Sequence, residues 1–178
     1  MSIIENIDVH GGILVGHDGS SSATAALLAA VRCAPVFGPD VHVVRAWTLA
    51  TAETPADYAA GYVPSYEDFE AATLKVLEED VAPVRADHRK VSISCSVVHG
   101  NAAEKLIEAS DRVHLVVLGG RGHGGFAGLM LGSVSEKVVR HSHCRVLVER
   151  GPQTSQAPAD ELEQERLESA LASELKLS

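Results

Sequence analysis

The sequence predicts an α/β domain, a five-stranded parallel sheet with helices on both faces. Three observations lead there. Short β-branched runs alternate four times with longer amphipathic runs and close on a fifth short run, the repeat of a parallel sheet. The 178 residues are 46% hydrophobic, which suits one domain with a real core plus a short appendage. A glycine-rich stretch, "LGGRGHGGFAGLMLGSVSEKV" (Leu118–Val138), follows the fourth short run. That is the carboxyl edge, where such sheets bind ligands.

The strands are read in order as "GILVGH" (Gly12–His17), "VHVVRAW" (Val41–Trp47), "VSISCSVV" (Val91–Val98), "VHLVVLG" (Val113–Gly119) and "CRVLVE" (Cys144–Glu149). "SSSATAALLAAVRCA" follows the first strand as a helix, with serines available to cap it. "SYEDFEAATLKVLEEDV" forms the second helix, which Pro83 should end or kink. Asn101 with Glu104, and Ser133 with Glu136, have the spacing of capping boxes, so helices should start there. The connection "TLATAETPADYAAGYVP" (Thr48–Pro64) is long and reads as a mobile loop or lid. Residues 1–9 read as an extension, residues 10–150 as the domain. Past Arg150, "GPQTSQAPAD" is a linker, and "ELEQERLESALASELKLS" is a charged helix or frayed tail completing residues 151–178.

Net charge is −9, which disfavours a nucleic-acid surface and leaves any anionic ligand to local attraction. Three widely spaced cysteines, Cys33, Cys95 and Cys144, argue for a reducing compartment rather than a disulfide framework. "MSIIENIDVHGG" lacks a basic region followed by an apolar run, and no apolar stretch reaches bilayer length. The expectation is a cytoplasmic protein with no membrane partner. "HSHC" (His141–Cys144) matches no common zinc spacing, so no metal site is expected.

Three phosphate-binding templates compete for the glycine stretch. "GRGHGG" (Gly120–Gly125) formally matches G-x-G-x-x-G, but "FAGLMLG" intervenes before the helix and Arg145 stands where an acidic residue is needed. No lysine accompanies these glycines, so the P-loop template fails. "GHDGS" (Gly16–Ser20) is not a G-x-S-x-G elbow, so it carries no hydrolase nucleophile. The third template fits: Gly119, two residues, Gly122, nine residues, then Gly132-Ser133.

That G-x2-G-x9-G-(S/T) spacing resembles the ATP-binding universal stress proteins. "ILVGHDGS", "VVHGNAAEKLIEAS" and "LMLGSVSEKVVRHSHCRVLVER" resemble that family's opening strand, third helix and last helix and strand, over about residues 10–150. The resemblance implies a Rossmann-like, adenine nucleotide alpha hydrolase-like sheet of order 3-2-1-4-5. It implies ATP as ligand, with ADP, AMP or cyclic AMP as alternatives and Mg carried by the nucleotide. It implies contacts from Gly16 on the first strand and from backbone near Ala46 on the second. It also implies a homodimer through Cys144–Glu149, a stress or dormancy role, and at most slow ATP hydrolysis.

Physical reasoning places the phosphates in the same stretch. A helix capped by Ser133 turns the amides of Val134 and Ser135 outward at its positive end. Gly119, Gly120 and Gly122 let the preceding turn expose its own amides. Gly132 removes a Cβ where phosphate would press, the Ser133 and Ser135 hydroxyls can donate, and Arg121 can add a full charge. Asp18 ends the first strand; it either faces ribose, adenine or a divalent ion, or caps the first helix. "HGGFAG" offers only His123 as a further polar group, which leaves a smaller nucleotide in play. A nucleotide-independent dimeric interaction module, presenting the acidic tail to a protein partner, is the alternative outside nucleotide binding.

Overall fold

Strand β1 (Ile13–Gly16) lies at the centre of the sheet, between β2 (Asp40–Trp47) and β4 (Leu115–Gly119). Outside them sit β3 (Ser92–His99) beside β2 and β5 (Arg145–Glu149) beside β4, giving the order 3-2-1-4-5 with every pair parallel. The computed structural model describes residues 3–55, 63–120 and 131–151. Four helices make the crossovers: α1 (Ser21–Phe37), α2 (Tyr66–Asp87), α3 (Ala102–Ala109), which runs into a short 3-10 turn, and α4 (Ser133–His141).

Both faces of the sheet are covered, which is why its central strands β1 and β4 are continuously apolar. One face carries Ile13, Val15, Val41, Val43, Trp47 and Val117, packed with Leu27 of α1 and Leu77 and Val81 of α2. The other carries Leu14, Val44, Val98, Val116 and Leu118, packed with Leu106 of α3 and Val138 of α4. The segment read as an N-terminal extension packs on the domain, with Ile3 against the first face and Ile7 and Val9 on the second. Ile7 is buried there, its carbonyl accepts from Arg112 at 3.0 Å, and the Ile4 carbonyl accepts from the His99 amide at 2.8 Å.

Helix starts obey local chemistry. Ser20 caps α1 by accepting from the Ala23 amide, and Asn101 caps α3 by accepting from Ala103 and Glu104. Helix α2 opens on a capping box that sequence reading passed over. Ser65 accepts from the Asp68 amide while the Asp68 carboxylate accepts from Ser65. Ser65→Ala is expected to destabilise the domain by about 1 kcal/mol, read as a lower urea midpoint at unchanged slope. An unchanged midpoint would show the box to be idle.

Pro83 neither ends α2 nor stops at a boundary; the helix runs on to Asp87. Its missing N–H removes one bond, and the final turn is held by tertiary contacts instead. Val84 is buried, and Arg85 donates to the Ile93 carbonyl of β3 at 3.2 Å.

Candidate functional site

The carboxyl end of β4 is where two helix starts meet. An ideal Cβ on Gly119 would lie 2.6 Å from the Ser22 hydroxyl oxygen and 2.8 Å from the Ser22 carbonyl carbon, in the first turn of α1. The Gly119 carbonyl accepts from the Ser135 hydroxyl at 2.6 Å, in the first turn of α4. Gly120 then ties the turn shut. Its amide donates to the Glu149 carbonyl of β5 at 2.7 Å, and its carbonyl accepts from the Gly132 amide at 2.8 Å. Two positive helix ends therefore converge on one short piece of backbone.

Two expectations about α4 are corrected. The cap is Gly132, with φ −70° and ψ 158°, and Ser133 is the first helical residue. Extended backbone defines a cap, and here it belongs to the glycine, so no side chain caps the helix. Glu136 does not fold back; it pairs with Arg140 at 2.7 Å. The amides of Ser133, Val134 and Ser135 thus belong to a first turn that has no partners inside the helix. The Ser135 hydroxyl, expected to face phosphate, is instead committed to Gly119 because its side chain is buried between α4 and β4.

Gly16 is closely packed by the core. Its Cβ would lie 2.5 Å from Leu118 Cδ2 and 3.1 Å from Leu106 Cδ1, so the close approach is by core leucines. Asp18 is exposed and does not cap α1. Its Oδ1 accepts from the Ser20 amide at 3.0 Å and the Ser20 hydroxyl at 2.6 Å, bracing the residue that does. Ala46 stands near the end of β2, half-buried. Pairing of β1 with β2 stops at Gly16–Val44, whereas β2 pairs with β3 as far as Trp47–His99. Backbone at Ala46 consequently runs past the end of β1. Arg121, Gly122 and His123 lie outside the described residues, as do residues 56–62 of the long connection and the tail beyond Gly151.

Beneath this edge is a charged cluster that sequence reading missed. Arg45 is only 6% exposed although charged. It donates from Nε to the His17 carbonyl at 3.2 Å, reaches His17 Nδ1 at 3.2 Å, and pairs with Asp80 of α2. Glu53, in the connection after β2, lies 3.8 Å from the same guanidinium. The available signal was parity: Val41, Val43, Arg45 and Trp47 share one inward face, and a charge there requires buried partners.

Burial depresses the His17 imidazole below its ordinary 6.5, with the Arg45 charge adding to it and Asp80 and Asp18 opposing. Burial likewise depresses His42, against the opposing charge of Asp8; its ring sits between the Ser94 and Ser96 hydroxyls at 2.8 Å each. Below 6.5 the unfolded chain takes up protons that the folded chain refuses, so stability is fully present above 6.5. It is expected to fall as pH drops from there toward the depressed values. Urea midpoints measured across that interval check this, and a midpoint rising on acidification would contradict it.

The turn after α4 is tied down by the His143 amide donating to the Ser110 hydroxyl at 2.9 Å. Among the described residues no three acidic, histidine or cysteine side chains gather as a metal site, and no helix is long and apolar enough to cross a membrane.

The sequence model of the universal stress protein family matches residues 11–150. The chain is 33% identical to universal stress protein Rv2623 of Mycobacterium tuberculosis over 140 residues, covering 78% of this chain and 44% of that protein. It is 32% identical to universal stress protein Rv1996 of the same organism over 152 residues, covering 84% and 47%. The chain thus spans less than half the length of these curated relatives. Among solved structures, the universal stress protein UspA of Lactobacillus plantarum superposes with a TM-score of 0.59 at 21% identity, over 81% of this chain and 100% of that one. A universal stress protein in complex with cAMP gives 0.56 at 24% identity, over 80% and 99%. The Archaeoglobus fulgidus universal stress protein in complex with dAMP gives 0.55 at 18%, also over 80% and 99%. A match across the whole sheet and its four crossovers, together with relatives above 30% identity, places this chain in the universal stress protein family.

Proposed function

We propose that the chain binds an adenine nucleotide, ATP with its Mg, at the carboxyl ends of β1 and β4, and that occupancy makes it a regulatory module in a stress response. The observation that carries this is the convergence of the first turns of α1 and α4 on Gly119. The first-turn amides of α4, at a positive helix end with no side-chain cap, suit phosphoryl oxygens without any lysine, which is how a chain of charge −9 can hold a polyanion. The phosphates rest on the amides of Ser133, Val134 and Ser135, with Arg121 and Gly122 supplied by the turn. The base lies toward backbone at Ala46, and the exposed Asp18 carboxylate faces ribose or the nucleotide's metal. Hydrolysis is at most slow, because the motif brings no general base beyond Asp18.

One observation favours a smaller ligand. The Ser135 hydroxyl is already used by Gly119, which leaves fewer donors for a triphosphate. Structural neighbours with cAMP and dAMP define the comparison set, so ATP, ADP, AMP and cyclic AMP are tested together. Thermal unfolding should be stabilised by the preferred nucleotide, by about 2.7 kcal/mol at a hundredfold excess over Kd. No stabilisation by any of the four would end the nucleotide reading and leave the dimeric interaction module.

For assembly, we propose a two-fold pairing of β5. Among the described strands β5 pairs with β4 alone and ends the sheet, and an open apolar edge otherwise invites uncontrolled pairing. Sedimentation equilibrium reads the dimer directly.

A further inference from the structure

We propose that Arg45 is the positioning residue of this site: it locks the His17–Ser20 turn that carries Asp18, and a proton on His17 Nδ1 releases that lock.

The turn is held from below by one ring nitrogen. His17 Nδ1 has two neighbours at 3.2 Å, the Gly19 amide and the Arg45 guanidinium, and both can only donate. Nδ1 is therefore the unprotonated nitrogen, and the ring proton sits on Nε2. That second nitrogen is buried and has no hydrogen-bond partner among the described residues. The position of the ring is consequently set on its Nδ1 side. Arg45 also holds the His17 carbonyl through Nε, so it grips the residue by main chain and side chain together. Its remaining valences reach Asp80 on α2 and Glu53 after β2. The Asp18 turn is thereby coupled to both elements.

Above the grip, Gly19 has φ +88° and Ser20 is braced by Asp18 before capping α1. Loss of the Nδ1 bonds loosens the cap of one of the two helices that meet at Gly119. Protonation does this directly, since an imidazolium has no acceptor and would stand beside the Arg45 cation. The charges facing the ring are Arg45 from β2, Asp80 from α2 and Asp18 from its own turn, with Glu53 facing Arg45. The two acids soften the repulsion but cannot restore the acceptor. The affinity consequence rests on the nucleotide reading above; the locking of the turn does not.

Two measurements on the full chain separate these parts. The first needs no ligand: amide exchange at Gly19 by NMR, at about pH 7.5 and about pH 5.5, corrected for intrinsic rates, in wild type, Arg45→Lys and His17→Asn. Lysine keeps the cation for Asp80 but cannot hold the carbonyl and Nδ1 at once. Asparagine offers an oxygen near the Nδ1 position and does not titrate. Gly19 exchange should quicken about tenfold or more in Arg45→Lys, and by a similar factor in wild type on acidification, while His17→Asn stays flat with pH. Equal protection in all three proteins at both pH values overturns the lock.

The second is Mg-ATP and AMP affinity of the same proteins at both pH values. Arg45→Lys should bind about tenfold more weakly, and wild type should weaken on acidification more than His17→Asn does. The ligand's own titration is common to both proteins and cancels in that comparison. A loosened Gly19 with unchanged affinity overturns the positioning role. Wild type that binds neither nucleotide overturns the nucleotide reading and the positioning role with it, whereas the exchange result still decides the lock.

Discussion

Replacing Gly119 by valine should destabilise the fold by about 3 kcal/mol or more, a large share of the stability of an ordinary domain. The added Cβ meets the Ser22 carbonyl carbon at 2.8 Å, and backbone in the first turn of α1 cannot rotate away as a flexible side chain would. Relief requires α1 to shift from β4, which disturbs Leu27 and Ala26 against Val117. The Ser135 bond to the same residue's carbonyl would be strained in turn. Gly119→Ala makes the Cβ contact without the branches and should fall between wild type and valine. Urea unfolding followed by circular dichroism decides it. A valine variant within about 1 kcal/mol of wild type would mean that the glycine serves only the ligand.

Gly132→Val should do the opposite, losing the ligand and keeping the fold. Gly132 has an ordinary extended φ of −70°, so a side chain is not barred by backbone strain. Valine is a poorer cap than glycine, and a loss of about 1 kcal/mol in stability is the expected extent. The new branches would stand over the first-turn amides of α4, where the phosphates are proposed to rest. Nucleotide affinity should drop at least about a hundredfold, close to 2.7 kcal/mol. Calorimetric titration of the folded variant tests this, and wild-type affinity would move the phosphate site elsewhere. Together the two glycines distinguish a motif position required by packing from one required by binding.

Ser135, His17 and Arg45 are all buried beneath the carboxyl edge, and each holds backbone of the candidate site in place. Their substitution is expected to alter the site without removing any group that faces it.

Local pattern by itself determined the five strands, the helices between them and the family motif. β-branched runs, cap residues and glycine spacing act over a few neighbouring residues, and neighbours are what a sequence displays. It also pointed to the end of β4 as the candidate site, because the glycine spacing lies immediately after that strand. Tertiary structure alone decided which glycine makes room for what, Gly16 for two leucines and Gly119 for α1. The same holds for Pro83, whose helix continues because Val84 and Arg85 are held from outside it. Ser135 reaches Gly119 across 16 positions, and Arg45 reaches His17 and Asp80 across 28 and 35. Such pairings depend on how strands and helices are laid against one another, and the residues between them carry no local sign of it.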